Sequence, residues 1–250
     1  MSDFNRQPGT VPTPADMAVD QGLRSFVIGV YNKLALGLLV SGLVAYGIAS
    51  SPAIMAMMYR IQGGEPVGYN ALGYAVAFAP LGLILASNFL LKNPSPASAG
   101  ALYWSIVTLV GASMAVLLYL YTGPSIAFTL GVTALSFGGL SLIGYTTKRN
   151  LGPVGNFLGL ALWGLVISFI ISMFLPASVS PVLFLVMNGI GVLLSAGLIA
   201  VTTQSMKMSY YATLGDERGM QVASTFSALN LFIQFSNLFR FLLAFVGVRR

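Results

Sequence analysis

The chain reads as an all-α integral membrane protein with seven transmembrane helices. Residues 93–147 and 150–206 carry no charge. A soluble domain has no polar cover for runs of that length, whereas in a bilayer they are expected, because a charge at mid-depth is costly. Charged residues make up 7% of the chain, against about 25% in an ordinary soluble domain. Mean hydropathy is +0.85. One transmembrane helix needs about 20 apolar residues, so each uncharged run holds two helices and a turn.

Residues 1–28 are polar and contain Pro8, Pro12 and Pro14. They lack an apolar core with a cleavage site, so no secretory signal is expected. The pattern predicts a disordered cytoplasmic tail, with a short amphipathic stretch at Leu23–Val30, and a transmembrane domain over 29–250. Span 1 runs from about Val30 to Ser50 and stops before Pro52. Span 2 covers about Ala71 to Leu91, with Pro80 inside it, where a missing backbone donor kinks a helix. Span 3 covers about Ala99 to Tyr121, and Tyr121–Ser125 is a Gly-Pro turn. Span 4 continues to about Tyr145. Span 5 covers Val154 to Leu175, and a turn begins at Leu175–Ser178. Span 6 covers Pro181 to Val201. Span 7 covers Thr225 to Val248, about 36 Å at 1.5 Å per residue. Such lengths are helical, because lipid leaves no water to satisfy open backbone.

Basic residues set the orientation. Arg6, Arg24, Lys33, Lys92, Lys148, Arg149, Lys207 and Arg218 fall on the N-terminal side, and Arg60, Arg249 and Arg250 on the other. The excess puts the N-terminus in the cytoplasm and, with seven crossings, the C-terminus outside. A surface or re-entrant seventh segment would return the C-terminus to the cytoplasm and widen the imbalance. The length of that segment favours the crossing. Gly155–Gly159 and Gly191–Ser195 space small residues for close helix packing.

Several chemistries are excluded. The chain has no cysteine and no histidine, so thiolate or imidazole metal sites and Ser-His or Cys-His nucleophiles are not available. No enzyme activity and no cofactor are expected. The carboxylates are Asp3, Asp16, Asp20, Glu65, Asp216 and Glu217, all in the tail or in loops. The net charge of +6 comes from scattered residues. It acts as a topology signal and does not form a nucleic-acid face. Lys148-Arg149 reads as an anchor, and Asp216-Glu217 as a solvated loop too poor in oxygens for calcium.

Span 7 differs from the others. Asn230, Gln234, Asn237 and Arg240 are spaced by 4, 3 and 3, one stripe at helical period, which Ser227 extends. Such a stripe must face the bundle or a wet cavity. The pattern therefore places span 7 at the centre, enclosed by the other six. Its amides either bond neighbouring helices or line a polar path. Arg240 has no carboxylate in any span, and it either snorkels to the headgroups or lines a cavity.

Three strings resemble the Bax-inhibitor family in its bacterial branch: Gly22–Phe26 with Val30-Tyr31-Asn32 and Ala35–Leu38; Phe137–Arg149; and Ala228–Phe239. The resemblance covers about residues 20–250. It implies seven spans with the last helix central, in a bacterial inner membrane, and links the chain to stress response. The activity it implies is a pH-sensitive calcium leak, attributed to two aspartates. Their positions are occupied here by Thr202, in Thr202-Thr203-Gln204, and by Gln234. The acid that usually follows Thr-Thr-Lys-Arg is Asn150 here. Thr202, Asn230, Gln234, Asn237 and Arg240 are thus the ion-path candidates. With neutral side chains at both aspartate positions, calcium leak is expected to be weak or insensitive to pH. The alternative is a non-conducting regulator, since some bacterial relatives are described as binding a membrane-bound AAA protease through the N-terminal tail.

Overall fold

The computed structural model describes residues 14–63, 65–90, 92–172 and 181–249. In chain order the elements are α1 (Pro14–Ala49), α2 (Pro52–Met58), β1 (Tyr59–Gln62), β2 (Glu65–Tyr69), α3 (Ala71–Leu90), α4 (Pro96–Met114), α5 (Leu117–Leu120), α6 (Gly123–Thr146), α7 (Gly152–Ser172), α8 (Pro181–Ala212) and α9 (Glu217–Val246). Seven segments among the described residues are long and apolar enough to cross a membrane: Gln21–Ala49, Ala71–Phe89, Pro96–Leu120, Gly123–Thr146, Gly152–Ser172, Val182–Ala212 and Glu217–Val246. The protein is an all-α, multi-pass membrane protein.

Several boundaries differ from the expected ones, each for a local reason. Helix α1 starts at Pro14, so residues 14–28, read as tail, are helical. Proline suits a first helical turn, where its missing N–H is not needed. Residues 1–13 lie outside the described residues, as does the turn expected at Leu175–Ser178. Span 3 breaks into α4 and the single turn α5. There the Ala115 N–H bonds the carbonyl of Ala112, and Leu118 that of Ala115. These three-residue steps tighten the helix where Ala115 is sealed against Met55, Met58 and Tyr59. Helix α8 runs on to Ala212, well past Val201. Helix α9 opens at an Asp216 cap, whose Oδ1 accepts from the Gly219 N–H at 2.9 Å. Gly215, at φ +84°, makes the turn between them.

Helix α9 packs most extensively on α8, and also on α1, α4 and α6. These helices share one core, with Val30 and Leu34 of α1, Ile106 of α4, Phe137 of α6, Ile199 of α8 and Phe232 of α9. Helix α3 packs mainly on α4, and α7 on α8; α7 reaches α9 where the rings of Phe169 and Phe241 stack at 6.3 Å. In lipid, contact area and close backbone approach hold helices together. A Cβ on Gly111 would sit 2.4 Å from the Ser41 carbonyl oxygen, and one on Gly144 would sit 2.2 Å from that of Ala200. Glycine lets α4 close on α1, and α6 on α8.

Between α2 and α3 the chain forms an antiparallel β1–β2 hairpin, pairing Tyr59 with Tyr69 and Gln62 with Glu65. Gly63, at φ +62°, begins its turn. The rings of Tyr59, Tyr69 and Tyr74 follow one another at 5.2 and 5.3 Å, as an aromatic belt at a membrane interface does.

Candidate functional site

The expected stripe on α9 exists as one face, but its members differ in surroundings. Asn230 and Arg240 are exposed, and Gln234 and Asn237 are half-buried. Gln234 sends its Oε1 into the protein, where it has no hydrogen-bond partner. Ser227 is buried. Arg240 donates from Nη2 to the Asn237 Oδ1, a long contact at 3.4 Å. The guanidinium also stands in electrostatic reach of Tyr69, next to the first turn of α3. Burial pushes the Tyr69 phenol up, Arg240 pulls it back, and Tyr74 pushes it up further. Arg240 therefore points toward the hairpin side of the membrane. Among the described residues, the only acid inside a candidate span is Glu217, at the far end of α9.

The depth of the two substituted acid positions follows from helix register. Gly191 of α8 lies against the ring of Phe241. Seven residues along each antiparallel helix brings Gln234 opposite Leu198. Thr202 lies four residues beyond, about 6 Å deeper toward the opposite side. Thr202 is half-buried. Ser195, also without a partner for its Oγ and fully buried, lies within a turn of the depth of Gln234.

The neighbours of Thr202 are tied elsewhere. Thr203 donates to the Ile199 carbonyl at 2.9 Å and lies 3.3 Å from the Ser141 hydroxyl of α6. Gln204 donates to the Arg149 carbonyl and accepts from the Leu151 N–H, both at 2.8 Å. Lys207 donates to the Tyr145 carbonyl at 2.8 Å and stands 4.6 Å over its ring. The C-terminal part of α8 thus clamps the end of α6 and the α6–α7 turn. Asn150 accepts from the Gly152 N–H at 2.9 Å, which starts α7.

One polar cluster was not expected. Lys33 of α1 donates to the Ser224 and Thr225 hydroxyls of α9 at 3.0 and 3.1 Å. Tyr103 of α4 donates to the Lys33 carbonyl at 2.6 Å. Its sequence signal is a lysine inside an apolar helix, which the orientation count absorbed. Among the described residues no three Asp, Glu, His or Cys side chains come together. They offer amide, hydroxyl and guanidinium groups, and no carboxylate cage for a divalent cation.

The family model described as "Inhibitor of apoptosis-promoting Bax1" matches residues 23–250. A protein of Caulobacter vibrioides is 51% identical over 100% of both chains. Protein RP147 of Rickettsia prowazekii is 35% identical, also over 100% of both. Inner membrane protein YbhL of Escherichia coli K12 is 32% identical over 92% of this chain and 94% of its own.

Proposed function

The chain belongs to the Bax-inhibitor family, and from that premise we propose that it is a multi-pass protein of a bacterial inner membrane whose polar α9 face conducts calcium weakly and without pH gating. The observation that carries this reading is the buried, unpartnered Oε1 of Gln234, at a position where the resemblance puts an aspartate. Two carboxylates close enough to interact share a proton, and their charge changes with pH. An amide and a hydroxyl do not titrate. Their dipoles attract a cation, but they lack the negative charge that repays the dehydration of a divalent ion. Thr202, Gln234, Asn230, Asn237 and Arg240 are the residues of this path. The name of the Escherichia coli relative supports the membrane assignment, and the basic-residue bias supports a cytoplasmic N-terminus.

The test is calcium flux into liposomes holding the purified chain. Fluxes at about pH 6 and about pH 8 are expected to agree within about twofold, and a steep pH switch would refute the proposal. The Thr202→Asp/Gln234→Asp double variant is expected to gain a pH-dependent leak, because its acids lie about one helical turn apart in depth. A double variant that stays tight would mean that no path exists.

That outcome would favour the second reading, a regulator that binds a membrane AAA protease through its N-terminal segment. The continuous α1, Pro14–Ala49, supports it: a contact on its first turns bears directly on the helix that packs against α4 and α9. Deleting residues 2–20 and measuring protease turnover beside flux separates the two readings.

A further inference from the structure

A half-open crevice of about 620 Å³ lies between α1, α6 and α9. It is not on the polar side of α9: Phe235, in its wall, and Asn237, in the stripe, point about 200° apart. Ile126, Leu130 and Ala134 line its α6 wall, and Leu39 and Gly42 line α1. Leu39 is 59% exposed and Leu130 47% exposed, so the crevice opens sideways toward the bilayer. A Cβ on Gly42 would meet nothing within 4 Å. The polar side chains in the wall are Ser41 and Ser236, both buried.

The crevice has a depth, and a charged residue is tied to the chain near one end of it. From Ile126 to Ala134 is about 12 Å along α6, close to half of a hydrocarbon core of about 30 Å. Ile126 follows Ser125, whose Oγ accepts from the Val248 N–H at 2.9 Å. The Thr122 N–H donates to the Val248 carbonyl at 3.1 Å. These bonds hold the next residue, Arg249, 6.0 Å over the buried Tyr121 ring. Arg249 is exposed. The crevice is about one leaflet deep and apolar within, and the segment carrying Arg249 is tied to Thr122 and Ser125, about one helical turn or less from Ile126 at its end; that juxtaposition matches a chain joined to a phosphate. A helix from a second copy would need a groove running the full membrane thickness.

We propose that this crevice holds one acyl chain of an anionic phospholipid whose phosphate is bound by Arg249. An unfilled slot would deprive its lining of dispersion contacts on one side, and a chain in the space beside Gly42 restores them.

The experiment is native mass spectrometry of the delipidated full chain, titrated with phosphatidylglycerol or with phosphatidylcholine. One phosphatidylglycerol is expected to be retained, about fivefold more tightly than phosphatidylcholine, the effect of one basic residue at the interface. Gly42→Phe, which fills the slot, is expected to lose both lipids. Gly164→Phe, on α7 with equally open space at its Cβ, is expected to keep them. Arg249→Gln is expected to retain a lipid while losing the headgroup preference. Independently of any variant, a diazirine on the acyl chain is expected to label Leu39, Leu43 or Leu130 in the unaltered chain. Labelling confined to other helices would overturn the proposal. So would retention of lipid by a folded Gly42→Phe, or a dimer that this variant dissociates.

Discussion

Tyr59 is 2% exposed, and its hydroxyl has no hydrogen-bond partner. Burial pushes its pKa up to about 12, repulsion from Tyr69 adds to the rise, and the nearby Val116 backbone holds it back without a bond of acceptable geometry. The folded state therefore favours the neutral phenol. Its contribution is fully present below about pH 10, the ordinary value, and is lost as pH climbs through about 12. Tyr59→Phe deletes an unsatisfied polar group, so it is expected to leave the melting temperature unchanged or raise it. It should also flatten the loss of stability between those two pH values, read by thermal melts in detergent. Lys33 is the opposite case, a charged donor with two acceptors on α9. Lys33→Met is expected to cost about 1.5–3 kcal/mol; a neutral result in the same melts would mean that the cluster does not hold α1 to α9.

At the scale of the element, helix spacing rests on a few glycines. Gly144→Ala would place a methyl 2.2 Å from the Ala200 carbonyl oxygen. The backbone of α6 or α8 must then move, at about 1–3 kcal/mol. Gly138→Ala, on the same helix with open space around it, is expected to be neutral or to stabilise by up to about 1 kcal/mol. Comparing the two melting temperatures checks this, and equal losses would show that α6 does not pack closely at Gly144. The spans themselves were legible in the sequence, because charge-free length is a direct consequence of lipid. Helix ends were less so. Polar residues after Val201 look like a loop, yet Gln204 and Lys207 are held by carbonyls of Arg149 and Tyr145, distant in sequence. The hairpin left a signal in Gly63-Gly64, between two runs too short to stand out beside the spans. The α9 stripe was readable from its period. Periodicity gives an angle about the helix axis but does not say which neighbour fills it, so exposed Asn230 and the inward oxygen of Gln234 looked alike.

For the whole molecule, the expectation is that seven crossings put the two ends on opposite sides. With the basic-residue bias inward, green fluorescent protein fused after residue 250 is expected to stay dark and alkaline phosphatase fused there to be active. The reverse pattern would mean that α9 does not cross. The contacts of α9 also bear on how the bundle is made. Helix α9 is the last span in chain order, yet the shared core of α1, α4, α6 and α8 closes on it. The earlier spans can close their own glycine seams, but Lys33 meets Ser224 and Thr225 only when the final hairpin partner arrives beside α8. A chain cut short before α9 would therefore leave the ammonium of Lys33 without its two hydroxyl acceptors and the apolar side chains of α1, α4, α6 and α8 without Phe232 between them.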